Sequence, residues 1–475
     1  MRLSVKSSTA VRPNASPSAA EQSAAGRAAR KVLPRADLAS WEPSPIRPEP
    51  VELLRLQDAT RVPELVPIRH ERMLASPFAF YRGSASVMAA DLGNGRRSGL
   101  EVQCCGDAHL VNFGGFAAPD RALVFDINDF DETHPGPFEW DVMRLAASLE
   151  IAGRGRSTGP KASRAIVEKT VRTYRKAMRR FATMSDLDVW YARLDVPAFL
   201  KRWRREVPSS EIARFDRLIA RGGAKDSLQA LAKLTGRVRG EVRIVSNPPL
   251  VVPLRDLLPT VQADRLRERL SEQIRTYLRS LPHDRRRLLQ RFRLVDFAHK
   301  VVGVGSVGRQ SWIALLVGAD DGSPLFLQIK AAESSVLEQY TRKSEFANHG
   351  RRVVEGQRLL QAASDILLGW SRSSDASAGG DYYVRQLWDR KVSPHVDAMS
   401  PEILKVYGEM CGWTLARAHA RSGDKIAIAT YLGSSDVFER ALADFANSYA
   451  DQNQRDYEVV TAAARAGKLD PTEKE

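Results

Sequence analysis

The segment from Val102 to Glu132 constrains this chain more than any other. It reads V-Q-C-C-G-D-A-H-L-V-N-F-G-G-F-A-A-P-D-R-A-L-V-F-D-I-N-D-F-D-E. Two short apolar runs, Leu100 to Cys104 and Ala122 to Phe125, have the composition of buried strands. Each ends in carboxylates and amides rather than in a Gly, Ser or Pro turn. Asp107, His109, Asn112, Asp126, Asn128, Asp129, Asp131 and Glu132 crowd into two adjacent loops. Carboxylates this close repel one another, and a divalent cation with its preference for oxygen ligands is the simplest compensation.

Spacing sharpens the reading. Asp107 and Asn112 stand five residues apart, as do the catalytic Asp and metal-binding Asn of the kinase catalytic loop, and a strand then leads to another Asp. In that arrangement the first Asp takes the proton of the acceptor hydroxyl, while the Asn and the second Asp hold magnesium on the nucleotide phosphates. Asp107 is therefore the expected base, Asn112 and Asp126 are the expected metal ligands, and Asp129 is a reserve ligand. The segment G-D-A-H-L-V-N, followed by V-F-D, resembles the catalytic segment of aminoglycoside phosphotransferases and choline kinases, where H-G-D-x-H-x-x-N precedes a strand ending in I-D. It departs from them at Cys105, which stands in place of the first His. Whatever that His contributes to loop geometry must come from elsewhere. In the same enzymes an Asp soon after the metal Asp braces the catalytic loop, and Asp141 resembles it.

A second informative stretch runs from Phe292 to Lys330. Gly303, Gly305 and Gly308 spell G-x-G-x-x-G, a weak signal alone. A dinucleotide-binding fold requires a helix straight after the glycines, yet Trp312 to Val317 is a short apolar run, followed by a turn at 320–324 and a second apolar run ending at Lys330. Strand, glycine loop, strand, turn, strand and Lys is the order of a kinase N-lobe, in which the glycines admit phosphates to backbone amides and Lys330 neutralises them. A kinase lysine needs a carboxylate partner, and Glu355, within the helical pattern of 344–364, is expected to supply it. Strands are expected at 366–370 and 382–387, the second leading to an adenine-contacting hinge.

The catalytic loop thus precedes the glycine loop. Catalysis requires only that the groups converge in space, so the sequence implies an α+β, bilobal, protein-kinase-like fold that is circularly permuted and carries a largely helical insertion. The expected divisions are a disordered tail over 1–50, the catalytic-loop and metal-binding part of the C-lobe over 51–157, a basic helical region over 158–290, the N-lobe over 291–390 and a helical completion of the C-lobe over 391–475. The reading requires Lys330 and Asp126 to line one cleft. It also leaves Arg82, just before the central stretch, as a candidate clamp for a phosphate or carboxylate.

Charge and cysteines bound the function. Lys plus Arg number 72 against 57 Asp plus Glu, a formal net charge of +15, which favours anionic partners such as nucleotides. Apolar positions recurring every three to four residues in the basic region place Trp190, Tyr191 and Trp203 in a core, which disfavours a nucleic-acid surface. Cys104, Cys105 and Cys411 make no disulfide framework and no metal spacing, and a reducing cytoplasm fits them. No apolar run reaches the roughly 18 residues of a membrane span.

The segments S-P-F-A-F-Y-R-G, C-G-D-A-H-L-V-N-F-G, N-D-F-D-E-T, L-A-R-A-H-A-R-S-G-D and Y-A-D-Q-N-Q-R-D resemble the bacterial family called domain of unknown function 2252, over nearly everything after about residue 50. That resemblance implies a kinase-like grouping without a settled substrate. The leading expectation is an ATP- and magnesium-dependent phosphotransferase acting on a hydroxyl of a small molecule or protein. Transfer of AMP from the same site, a non-catalytic nucleotide-binding scaffold, and a metal-dependent hydrolase using Asp107, His109 and Asp129 are the alternatives.

Overall fold

The computed structural model describes residues 17–156, 158–196, 199, 201, 209–210, 212–213, 232–238, 240–301, 307–319, 323–373, 380–387, 392 and 395–469. Gly303, Gly305 and Trp203, most of the expected 320–324 turn, and the residues after Leu387 expected to form the hinge lie outside them. The described chain mixes helices with four separate sheets.

The largest sheet has six antiparallel strands: β8 (Val251–Pro253), β9 (Arg293–Lys300), β10 (Ser311–Val317), β11 (Pro324–Ala332), β12 (Gly369–Arg372) and β13 (Asp381–Gln386), in the order β12-β13-β11-β10-β9-β8. Its central strand β10 is buried at every position, as expected of a strand covered on both faces. One face sets Trp312, Ala314, Leu327 and Ile329 against Leu270, Ile274 and Tyr277 of the helix Thr260–Ser280. The other sets Ile313, Leu315 and Phe326 against Leu234 and Ile244. Ile244 ends β7 (Glu241–Ile244), which pairs with β6 (Thr235–Val238).

This packing corrects the expected boundary at residue 291. The helix Thr260–Ser280 and strands β7 and β8 pack with the sheet rather than with the helical part. The reason is local: the apolar residues of this helix, Ala263, Leu270, Ile274 and Tyr277, recur at spacings of seven, four and three residues on one face, and its many Arg residues take the outer face. Trp190 and Tyr191 also depart from expectation, being 44 % and 75 % exposed. Their helix, Asp186–Tyr191, has only Val189 buried, and the Arg421 guanidinium lies 3.9 Å over the Trp190 ring.

The main helical core is built from Phe138–Arg154, Pro160–Phe181, Pro401–Ser422 and Val437–Arg465. Phe138–Arg154 is buried at every position from Phe138 to Gly153. Gly408 and Gly412 let Pro401–Ser422 cross close to Pro160–Phe181: a Cβ at Gly412 would stand 2.6 Å from the Thr170 carbonyl oxygen. Residues 17–50, expected to be disordered, are ordered. The helix Ala19–Val32 starts with a Ser18–Glu21 capping box, and Arg30 and Arg35 donate to the carbonyls of Thr430, Tyr431 and Leu432, which close the helix Lys425–Leu432. Arginine stems and small alanines suffice for docking where the partner supplies open carbonyls.

Two small sheets carry the acidic loops. β1 (Glu101–Cys104) leads through residues 105–112 into β2 (Phe113–Ala117), and β3 (Leu123–Ile127) leads through residues 128–133 into β4 (His134–Pro137). β1 pairs with β4 and β2 with β3, while β5 (Leu194–Asp195) extends the latter pair. Cys104 stands opposite His134, and Phe113 opposite Ile127. The two loops therefore spring from paired strand ends and lie side by side.

Candidate functional site

Backbone chemistry fixes the first loop. Gly106 has φ +82°, and a Cβ there would come within 2.1 Å of the Glu132 carbonyl oxygen, so only glycine lets the two loops touch. The Asp141 carboxylate accepts from the amides of Cys105 (2.7 Å) and Gly106 (3.0 Å). It is itself held by His419 Nε2 at 3.2 Å, whose Nδ1 meets the Tyr174 hydroxyl at 2.8 Å. Asp141 and His419 are thus bracing groups, and they supply the loop geometry that Cys105 does not. All three cysteines are buried and free.

Asp107 projects from this loop with 17 % of its side chain open. Its Oδ1 lies 2.9 Å from Arg144 Nε and 2.8 Å from Arg144 Nη2, and His109 Nε2 stands 3.6 Å from its Oδ2. Burial raises its carboxyl, Arg144 opposes that rise, and the outcome is a pKa of about 6. His109 is buried beside Arg82 and Arg144, which keeps its ring neutral. Asn112 Nδ2 donates to the Asp107 carbonyl at 2.9 Å, which turns the amide oxygen the other way. The Asn128 amide donates to the Asn112 carbonyl at 2.7 Å, tying the second loop to the first, and the next residue, Asp129, is half-buried with its charge felt by both Asp107 and Lys330.

Lys330, 2 % exposed on β11, reaches across to the second loop. Its Nζ lies 2.7 Å from Asp131 Oδ2, and the Tyr383 hydroxyl donates to Asp131 Oδ1 at 2.6 Å. Burial alone would raise the Asp131 carboxyl, but Lys330 and Arg309 outweigh it and hold the group well below the usual carboxylate range. Arg309 lies 3.1 Å from Glu132 Oε1, whose other oxygen accepts the Val336 amide. Arg352 ties the same loop to the helix His349–Leu360 by donating to the carbonyls of Asp131, Thr133 and Glu333.

Two expected roles are corrected. Glu355 does not hold Lys330. It faces outward with its side chain 36 % exposed, 3.8 Å from Arg351 and 3.9 Å from Arg358, because the turns of this helix bury Arg352, Val353 and Gly356 instead. Asp131 has the partner's place. Asp126 does not line the cleft with Lys330 either. It is 1 % exposed, with Oδ1 at 2.6 Å from Arg417 Nη2 and 2.9 Å from the Ile127 amide, and Oδ2 accepting the Ala362 amide at 2.8 Å. Both of its oxygens are engaged by protein donors and it is closed to solvent, so it does not fit as a magnesium ligand. Among the described residues no three His, Cys, Asp or Glu side chains gather as a metal cluster.

Of the glycines, Gly308 has φ +88° and rests on Arg61, whose guanidinium donates to the Val307 carbonyl. Sequence reasoning missed Asp131, Arg144, Arg309, Arg352 and Tyr383. Only Asp131 carried a signal, as one of several acids in the same loop.

Fold and site together define an α+β protein in which a lysine from a six-stranded sheet meets acidic loops carried by a separate helical core. The chain belongs to the family described as uncharacterized protein conserved in bacteria, DUF2252, whose profile matches residues 61–463. Neither curated proteins nor solved structures gave a match. Among the described residues no helix is long and apolar enough to cross a membrane.

Proposed function

We propose that this chain is a magnesium- and ATP-dependent phosphotransferase on a circularly permuted kinase-like fold, acting on a hydroxyl group, with Asp131 rather than the buried Asp126 as the acid that the second loop brings to Lys330. The observation that carries the reading is the 2.7 Å contact between Lys330 and Asp131. It joins the strand after the glycine motif to the acidic loops, across 199 residues of chain. The run of β9, Gly308, β10, β11 with its lysine, a helix, then β12 and β13 supports it further, since strand, glycine loop, strand and lysine strand is the kinase N-lobe order.

In this reading Asp107 accepts the hydroxyl proton, and a pKa of about 6 leaves it ionised yet basic at neutral pH. Lys330 neutralises phosphate charge once Asp131 shares it. Asn112 and Asp129 would hold magnesium, which neutralises charge on the phosphates when bound. Two protein ligands suit an ion that keeps waters and phosphate oxygens in its shell. The Arg144 guanidinium positions Asp107 and keeps its second oxygen free for the acceptor.

The test is thermal stabilisation by ATP with magnesium. A ligand at a hundredfold its dissociation constant stabilises by about 2.7 kcal/mol. The native protein and Glu355→Gln should shift alike, and Lys330→Ala and Asp129→Asn should not. Absence of a shift in the folded native protein overturns the reading. With γ- and α-labelled ATP, the label reaching the acceptor separates phosphate from AMP transfer.

A further inference from the structure

Around the end of β11, just past Lys330, lies a cavity of about 1000 Å³, lined by Arg61, Arg309, Arg372, His349, Ala331 and Tyr382 among others. Ala331 and Tyr382, paired across β11 and β13, line the cavity while their neighbours Lys330 and Tyr383 do not, and Arg309 stands between cavity and cleft, 3.6 Å from the Asp131 oxygen that Lys330 holds. Of its lining residues the sequence reading gave a role to Gly308 alone, as the last glycine of the G-x-G-x-x-G run.

Its charge is unbalanced. Arg61 is 7 % exposed, and the carboxylate nearest to it, Asp58, is shared: Oδ1 lies 3.5 Å from Arg61 Nε but 2.8 Å from Arg69 Nη1, and Oδ2 lies 2.7 Å from His70. Arg61 Nε makes no hydrogen bond. Burial, then the neighbouring Arg69 and Arg309, push this guanidinium down to about 9, which agrees with a missing counter-charge. His349, another lining residue, likewise has a buried Nδ1 without a hydrogen-bond partner.

The acids of the cavity do not supply what is missing. Asp381 already accepts from Asn348 Nδ2 at 2.6 Å, the His349 amide at 2.7 Å and Arg372 Nε at 2.8 Å. Glu333 stands 3.3 Å from Arg309 Nε, and Arg309 also faces Glu132 and Asp131. Burying cations without equivalent anions is costly, and an anionic ligand removes the cost.

We infer that this cavity is a second ligand site, independent of the phosphotransferase reading, which takes a small organic phosphate through Arg61, Arg372 and His349. The phosphate class follows from the guanidinium donors of Arg61 and Arg372 on the lining, which suit tetrahedral oxyanions. The organic body follows from the volume, far beyond that of an inorganic anion, and from the apolar walls of Val62, Pro63 and Ala331.

The experiment is calorimetric titration of the full chain with phenyl phosphate, with inorganic phosphate, and with phenol as the uncharged control. Phenyl phosphate should bind more tightly than phosphate, and phenol should not bind. Arg61→Gln should weaken phenyl phosphate about tenfold or more, the value of one charge-assisted hydrogen bond. Arg372→Ala, whose side chain is 56 % exposed and whose loss should leave the fold intact, should weaken it severalfold. Lys330→Ala should leave it unchanged, which keeps failure here distinct from failure of the nucleotide site. Loss of binding in Lys330→Ala with retention in Arg372→Ala, or no binding by the native protein, overturns the inference.

Discussion

Asp107 stands between two opposing influences, a buried setting that favours its neutral form and an arginine that favours its charged one. The balance near 6 has a kinetic consequence. If Asp107 is the base, kcat/KM falls about tenfold for each pH unit below that midpoint, and Arg144→Gln moves the midpoint upward because the opposing charge is gone. A rate profile flat from pH 5 to 8 would remove Asp107 from that role. Asp126 makes a different prediction. Its pair with Arg417 is buried on both sides, each about 1 % exposed, and breaking one side of such a pair costs about 3–5 kcal/mol. Arg417→Leu should therefore lower the urea midpoint sharply, as should Asp126→Asn. Asp129→Asn, at a half-buried loop residue, should leave that midpoint nearly unchanged while abolishing response to magnesium and ATP.

Among elements, the crossing of Pro160–Phe181 with Pro401–Ser422 has little room to spare. Gly412→Val places side-chain atoms against the Thr170 backbone and should destabilise by about 1–3 kcal/mol, readable as a lower midpoint in urea. Elements of this kind were legible in the sequence because periodicity acts locally. The helical segment expected over 391–475 contains Pro401–Ser422, the strand expected over 312–317 is found as Ser311–Val317, and the one expected over 382–387 as Asp381–Gln386. Partnerships were not legible. Nothing near Lys330 in sequence announces Asp131, and nothing near Asp126 announces Arg417, which lies 291 residues away. The spacing of Asp107 and Asn112 could be read because both belong to one loop, whereas the lysine's partner was sought on the wrong element. The basic helix Thr260–Ser280 was assigned to the wrong neighbour because its arginines mask the narrow apolar stripe that decides where it packs.

For the whole molecule, ion pairs link the sheet to the helical core, and Lys330–Asp131 lies at their centre. Asp131 titrates below the usual range in the folded protein, so its contribution to stability is full above the unfolded pKa, about 4, and is lost as pH falls below it. The stability gap between native protein and Asp131→Asn should thus be wide at pH 7 and close progressively below pH ~4. A constant gap in thermal melts would show that the pair contributes nothing electrostatic. The ordered N-terminal segment has another bearing. Arg30 meets Tyr431, and Arg47 meets Asp456, across 401 and 409 residues. At ribosomal speeds of about 5–20 residues per second, roughly 20–80 s separate the emergence of these partners. Through that interval the helix Ala19–Val32 lacks its docking partner Lys425–Leu432, so this corner of the architecture forms late relative to its own synthesis, and the nascent chain is a natural client for chaperones.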